Sequence, residues 1–322
     1  MRRYYYELHI DGKKDAGALI AAPSANAQLL PQFSQYMFNE YALNPAIGGT
    51  SDYWQIKTNY RYQFAGVKDA PQTYMLGGYG PHKVMPMGYG GYIFNDVTGP
   101  IGNMGAYGSY SYNVRISGDI RISGGLFVGV VQQKVDLSDV NELNEGENGF
   151  QNTVYKKVYP DGSLGVYLYT SQYYAGISFN HLFFNNMSLL DKYDEGYIVK
   201  DGRVKPHFYI QGGYKYNIDR NFDLEPSILI KTVPNYDFMT DINCRVIYQK
   251  MVWGGLGFRY NFKNPEAVIA FVGYNYNDMI NIGYSYDLTI SKLSSASYGS
   301  HEIMLGVKFE DIRKSKSKRK IR

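Results

Sequence analysis

The chain has 322 residues, a formal net charge of +4 and one cysteine, Cys244. A single cysteine excludes an internal disulfide framework and a cysteine-based metal site, and no stretch reaches the roughly 18 consecutive apolar residues of a membrane-spanning helix. The 34 tyrosines and 35 glycines are instead expected of a wall that meets lipid headgroups on one side and packs tightly on the other. Length alone allows two ordinary domains or one large β-barrel.

The first 27 residues are predicted to be a leader that is removed on export. A short apolar stretch ends in Ala25-Asn26-Ala27 before Gln28, which fits the small-residue pattern for signal-peptidase cleavage. Three carboxylates precede that stretch, so the leader is divergent or the start is assigned too early. We therefore expect an exported protein that begins near Gln28.

An N-terminal segment, residues 28–51, separates the leader from the first strand. Its core, "QFSQYMFNEYALNPAIGG" at 32–49, has no sustained alternation and does not resemble a strand. The Asn44-Pro45 step suits a turn, because the residue before proline is displaced from the helical region. We expect this polar and aromatic segment either to fill the lumen of a barrel or to contact a partner. Its candidate residues are Gln32, Phe33, Ser34, Gln35, Tyr36, Met37, Asn44 and Pro45.

The choice between these two roles depends on the aromatic side chains. Four amides, Gln32, Gln35, Asn39 and Asn44, could meet the polar inner face of a barrel wall. The aromatic and methionine side chains of the same segment offer more apolar surface than a polar lumen is expected to bury, and such side chains are enriched in interface cores. This reasoning favours a docking surface for a periplasmic partner slightly over a plug.

From residue 52 onward the apolar residues alternate with a period of two. In "VWGGLGFRYNF", Leu256 and Phe258 share one face, and Gly257 and Arg259 share the other. Such segments match strands of about 9–11 residues that cross a bilayer, and they exceed the five or six residues of an average strand in a soluble sandwich. The sequence therefore predicts an all-β, transmembrane antiparallel barrel over residues 52–310.

Fourteen strands are predicted, with twelve as the alternative, because single-chain bacterial barrels have an even number. The predicted strands are 52–64, 72–81, 88–97, 102–114, 118–135, 163–169, 172–184, 206–217, 222–233, 239–248, 251–262, 267–276, 279–288 and 301–310. Short turns at 219–220, 249–250 and 277–278 then lie on one side, and long connections at 136–162, 185–205 and 289–300 lie on the other. The short side is expected to be periplasmic and to hold both termini, including a basic tail, 311–322.

Six charged residues are candidates for the lumen if they face inward, where they could pair and close the barrel or line a pore. They are Arg61, Arg121, Glu225, Lys231, Arg259 and Lys308. Signals of enzyme chemistry are missing from the sequence. The five histidines do not cluster, the glycine-rich stretch 77–91 lacks the Gly-Lys-Ser/Thr of a phosphate loop, and no G-x-S-x-G elbow occurs. We expect no enzyme activity, no cofactor, no metal site and no nucleic-acid partner.

Several motifs resemble the PorP/SprF family of Bacteroidetes outer-membrane proteins, over residues 30–310. They are "QFSQYMFNEYALNPAIGGT", "YRYQFAGVKDAPQTYMLGGYGP", "FNDVTGPIG", "YYAGISFNHL", "EPSILIK" and "IGYSYDLTISKLSSASYGSHEIMLGVKF". The resemblance implies a non-enzymatic outer-membrane component of the type IX secretion system, associated with gliding or adhesin-type clients. Its implied partners are outer-membrane lipid, secretion components including a periplasmic peptidoglycan-associated protein, and secreted proteins with a C-terminal sorting domain. The alternative function is a transport barrel for small or hydrophobic solutes.

Overall fold

The structure, a computed structural model, describes residues 32–136, 154–183, 205–234 and 237–309. The predicted leader and basic tail, and parts of two long connections, lie outside the described residues. Within the described residues, no helix has the length and apolar character needed to cross a membrane. The helical elements there are short 3-10 turns at Tyr36–Phe38, Glu40–Ala42, Pro45–Gly49 and Lys292–Ser295.

One antiparallel sheet contains all the described strands. They are β1 (Gln55–Tyr62), β2 (Gln72–Pro81), β3 (Met87–Thr98), β4 (Ile101–Ser117), β5 (Ile120–Asp136), β6 (Val154–Tyr169), β7 (Tyr173–Asn180), β8 (His207–Tyr214), β9 (Tyr216–Asn217), β10 (Phe222–Thr232), β11 (Met239–Tyr248), β12 (Val252–Asn261), β13 (Asn264–Tyr276), β14 (Ile280–Thr289) and β15 (Ser300–Lys308). Successive spans pair with each other, and β15 pairs with β1. The sheet therefore closes into a barrel without a free edge, which satisfies backbone groups in lipid.

Fourteen spans form this barrel, as predicted. The elements β8 and β9 are two parts of one span, since both pair with β10 and only Lys215 separates them. The predicted period is confirmed along the wall: Leu256 is 65% exposed on the outer face, whereas the neighbouring inward side chain of Arg259 is 3% exposed. The outer face is apolar and the lumen side carries the polar residues.

The strand predicted at 163–169 begins nine residues earlier, at Val154. The sequence "YPDGS" suggested a turn, but Pro160 pairs with Val130 of β5 inside the strand. The partner β7 reaches only as far as Ser163. Pro160 therefore lies beyond the part of β6 that pairs with β7, and proline is tolerated there because it has no N–H to donate to a second strand.

The next two spans are shorter or less regular than predicted. The strand predicted at 172–184 ends at Asn180, and His181 follows with a φ of +61°, in the left-handed region that interrupts a strand. The span predicted at 206–217 is broken at Lys215, whose backbone amide donates to Gln172 O at 2.6 Å. Both departures depend on backbone geometry that alternation does not encode.

The two ends of the barrel differ in their connections. At one end, here called the turn end, lie the connections 82–86, 118–119, 170–172, 218–221, 249–251 and 277–279. At the other, the loop end, lie the longer connections 63–71, 137–153, 181–206 and 290–299, with three shorter ones. Gln249-Lys250 and Asn277-Asp278 all have positive φ, the geometry of the two-residue turns that match strand twist. The predicted division into a side of short turns and a side of long loops is present.

Candidate functional site

Residues 32–50 of the N-terminal segment lie inside the barrel and cross the lumen from end to end. The Gln32 amide nitrogen is 3.1 Å from the sulfur of Met239, the first residue of β11 at the loop end. The segment continues to Thr50 and enters β1 at Gln55, at the turn end. We expected a segment entering from the periplasmic side, but its described part starts at the loop end instead.

Ser34 is the centre of a buried cluster of charged side chains near the loop end. Its hydroxyl donates to Asp287 Oδ2 at 2.6 Å and accepts from Arg61 Nη1 at 2.8 Å and Arg259 Nη2 at 2.9 Å. Its backbone amide donates to Glu302 Oε2 at 2.7 Å. One small residue of the N-terminal segment therefore connects β1, β12, β14 and β15.

Direct ion pairs link the same side chains. Arg61 lies 2.8 Å from Asp287 and 3.2 Å from Glu302, and Arg259 lies 2.9 Å from Asp287. Asp241 extends the cluster, because Arg259 Nε is 2.6 Å from Asp241 Oδ1 and Lys231 Nζ is 2.7 Å from its other oxygen. Three cations thus balance three carboxylates, a pairing that offsets part of the large cost of burying charge.

Aromatic packing holds the middle of the segment. Tyr41 is fully buried; its ring stacks on Tyr79 at 4.0 Å and meets Phe127 edge-on at 5.1 Å, and its hydroxyl is 2.6 Å from Ser109 Oγ. Phe33 and Tyr36 are also buried. The expectation that a polar lumen could not bury these rings is wrong, because the inner wall itself supplies aromatic partners.

Asn44 joins the segment to two further strands. Its amide nitrogen donates to the carbonyls of Val166 in β6, at 3.1 Å, and Ile177 in β7, at 3.3 Å. Its side-chain oxygen accepts from Ala46 N at 3.0 Å and caps the 3-10 turn that Pro45 begins. Asn44 and Pro45 thus form the predicted turn, pressed against the wall.

Where this turn packs against the wall, the wall has a glycine, whose lack of a side chain leaves room for the turn. A Cβ at Gly125 would lie 2.5 Å from the backbone nitrogen of Ala46, far closer than normal van der Waals contact. The neighbouring Ser123 hydroxyl donates to Ala46 O at 2.5 Å. The high glycine content led us to expect tight packing. At Gly125, that packing is the close approach of the N-terminal segment to the strands.

Comparison with known proteins identifies the family. Residues 25–307 match the model of the family described as type IX secretion system membrane protein PorP/SprF. The chain belongs to this family. It is therefore a membrane component of the type IX secretion system, with the barrel of an outer-membrane protein, as the motifs implied.

Two solved structures resemble this chain, and the first has a similarity high enough to compare the folds. The Ralstonia pickettii toluene transporter TbuX has a TM-score of 0.52 at 8% identity, covering 87% of this chain and 94% of that one. A Pseudomonas aeruginosa FadL homologue has a TM-score of 0.45 at 13% identity, covering 89% and 96%. No curated protein sequence matches the chain. At these identities the likeness to TbuX establishes the fold alone.

The eight predicted segment residues of this PorP/SprF barrel all lie in the lumen. Gln35 donates its backbone amide to Glu302 Oε1 at 3.2 Å, and its side-chain amide to Glu302 O at 3.2 Å. The Tyr36 hydroxyl lies 3.0 Å from Ser227 Oγ. Met37 is half-buried and packs against the core around Trp253.

The six predicted lumen charges all fall on the inward register but form separate groups. Arg61, Lys231 and Arg259 join the cluster around Ser34. Near the turn end Glu225 pairs with Arg245, and Lys308 Nζ lies 5.1 Å from the ring centre of Tyr53. Arg121 occurs in none of the ion pairs found among the described residues.

The sequence analysis identified the cations of the cluster but not its carboxylates. Asp241, Asp287 and Glu302 lie on the lumen face of their strands, which the period-two pattern could have shown had the carboxylates been considered with the arginines. A second missed group surrounds Asp161, which accepts from the Tyr107 hydroxyl at 2.6 Å and is 2.7 Å from His181 Nδ1. Asp161 was not predicted to face the lumen, because the predicted strand begins after it, at residue 163.

Proposed function

We propose that this PorP/SprF protein is a non-enzymatic accessory of type IX secretion. In this proposal it assists the secretion or surface attachment of proteins with a C-terminal sorting domain, including gliding or adhesin-type clients. Its partners are outer-membrane lipid, those clients and a periplasmic peptidoglycan-associated component. Membership of the family supports the association with secretion components.

The observation that carries the proposal is the filled lumen. Residues 32–50 cross the barrel and are joined to β1, β4, β5, β6, β7, β12, β14 and β15 by the contacts described above. A solute would have to displace buried ion pairs and stacked rings. A barrel that is closed in this way acts through its two ends, where the loops would meet a secreted client and the turns a periplasmic partner.

The alternative function is that of a transport barrel for small or hydrophobic solutes. It is suggested by the fold that this chain shares with the toluene transporter TbuX. At an identity of 8%, the similarity supports a common architecture but not a common transported solute. Transport would also require the N-terminal segment to leave the lumen. We therefore rank the accessory role first.

The orientation follows from the connections. Outer-membrane barrels have short periplasmic turns and longer outer loops, so the turn end is assigned to the periplasm. β15 ends there, which supports a periplasmic carboxyl terminus. The amino terminus lies outside the described residues.

Deletion of the gene tests the proposed function. One or a few sorting-domain proteins should accumulate inside the cell while the others are still displayed on the surface, and the wild-type gene should restore the display. Quantitative surface proteomics of the deletion strain gives the readout. Normal display of every sorting-domain protein would contradict the accessory role.

A further inference from the structure

A cavity of about 230 Å³ lies at the turn end, between the N-terminal segment and the wall. It is lined by Met37, Glu40 and Thr50 of the segment, by the turn 170–172, by Lys215, and by side chains of β6, β7, β8, β10 and β11. Pockets for drug-sized ligands occupy about 300–1,000 Å³. This cavity therefore has the size for one long side chain and not for a larger solute.

The break in the wall at Lys215 adjoins this cavity. β8 pairs with β10 from Ser227 onward, and β9 pairs with it up to Leu224. Between these two stretches, Glu225 and Pro226 have no strand-pairing residue on the side of β8 and β9. Proline has no backbone N–H with which to make such a pairing. Lys215 and Glu225 are both lining residues of the cavity.

The charges around the cavity leave one carboxylate outside the ion pairs. Glu225 pairs with Arg245, and Lys215 Nζ lies 3.3 Å from Asp223 and 3.8 Å from Glu225. Glu40 occurs in none of the ion pairs among the described residues. Glu40, Glu225 and Asp223 are balanced by Lys215, Arg245 and the nearby Lys57, so Glu40 is distinguished by the lack of an ion pair and not by a net charge of the region.

Tyrosines surround Glu40 instead of a cation. The Tyr167 hydroxyl donates to Glu40 Oε2 at 3.0 Å, and Tyr174 donates a second hydrogen bond. Burial raises the pKa of the Glu40 carboxyl above its usual value, while these two hydrogen bonds oppose the shift. The nearest cations are engaged elsewhere: Lys57 Nζ donates to the carbonyl of Phe38, and Arg245 pairs with Glu225.

A carboxylate among tyrosine rings is the chemistry that recognises an ammonium or guanidinium group, through a charge-assisted hydrogen bond and the ring faces. We propose that this cavity binds a lysine or arginine side chain from the protein's own basic tail, "RKSKSKRKIR" at residues 313–322. Seven of these ten residues are Lys or Arg. The assignment stands independently of the secretion role.

The tail starts at the correct end and is long enough. β15 ends at Lys308, at the turn end. Fourteen strands spaced about 4.8 Å apart and tilted about 40° make a barrel about 28 Å across. The thirteen residues 310–322 can extend about 43 Å. The tail can therefore reach the cavity on the far side of the barrel.

Disulfide trapping in the purified full-length protein tests this docking. In a Cys244→Ser background, Gln172→Cys marks the edge of the cavity and Ser315→Cys marks the tail. The pair should oxidise to an intramolecular disulfide under mild oxidant. Pairing Ser315→Cys with Ser294→Cys, at the loop end, is the matched control and should give none.

Adding Glu40→Gln to the trapping pair should slow disulfide formation about tenfold, as expected for the loss of a charge-assisted contact. The substitution is isosteric, and unchanged heat-modifiability on gels checks that the barrel is intact. High salt should also slow trapping. No trapping, or trapping at the same rate with Glu40→Gln, would overturn the proposal. Binding of added tetralysine that depends on Glu40, without trapping of the tail, would assign the cavity to an external partner and reject the tail as its occupant.

Discussion

At the scale of single residues, Ser34 shows how a small side chain can fix a segment within a barrel. Its hydroxyl and amide contact four charged residues that come from four strands. Hydrogen bonds to charged groups contribute more than neutral ones, at about 1.5–3 kcal/mol each. A larger side chain would separate the cations from the carboxylates, and a side chain without a hydroxyl would leave them partly unsatisfied.

Removing one member of this cluster should destabilise the protein strongly. Arg61→Ala removes the one cation that pairs with both Asp287 and Glu302 in a buried site, where such losses cost about 3–5 kcal/mol. Arg121→Ala removes a charge from the same inward register, but from none of the described ion pairs, and should cost less than about 0.5 kcal/mol. Urea unfolding of both variants in liposomes gives the comparison. Equal stabilities would show that the cluster does not hold the segment.

At the scale of elements, alternation predicted the spans well because each faces an apolar medium on one side and a polar lumen on the other. It failed at β6, where a turn-like sequence containing Pro160 and Asp161 continues as a strand paired with β5. The N-terminal segment was only half predictable. The turn at Asn44-Pro45 follows from local stereochemistry, whereas its position inside the lumen depends on aromatic and charged partners from distant strands.

Adjacent glycines of β5 provide a test of how the segment packs. Gly125→Ala adds a methyl group 2.5 Å from the backbone of Ala46, and overpacking of this kind costs about 1–3 kcal/mol. Gly124→Ala adds the same group where no atom lies within 4 Å, and it should leave stability nearly unchanged. Limited proteolysis within residues 32–50 should increase only for Gly125→Ala. Similar proteolysis of both variants would contradict the described packing.

At the scale of the whole molecule, the protein combines the wall of an outer-membrane barrel with a segment that occupies the lumen. A barrel of this size has room for a solute pathway or for a plug. The described segment spans both ends, and its contacts reach strands around the barrel. Closure is therefore a property of the complete chain and not of the wall alone.

Conductance in planar bilayers tests this closure directly. The wild-type protein should insert without measurable current, because the cluster around Ser34 and the rings around Tyr41 block opposite halves of the lumen. A variant that lacks residues 32–47 and retains the leader should insert and conduct. The double substitution Phe33→Ala and Tyr36→Ala, which keeps the backbone in place, should give brief openings of smaller size. Conducting wild-type channels would support the transport alternative, whereas a silent deletion variant that is shown to be inserted would mean that other parts of the chain close the barrel.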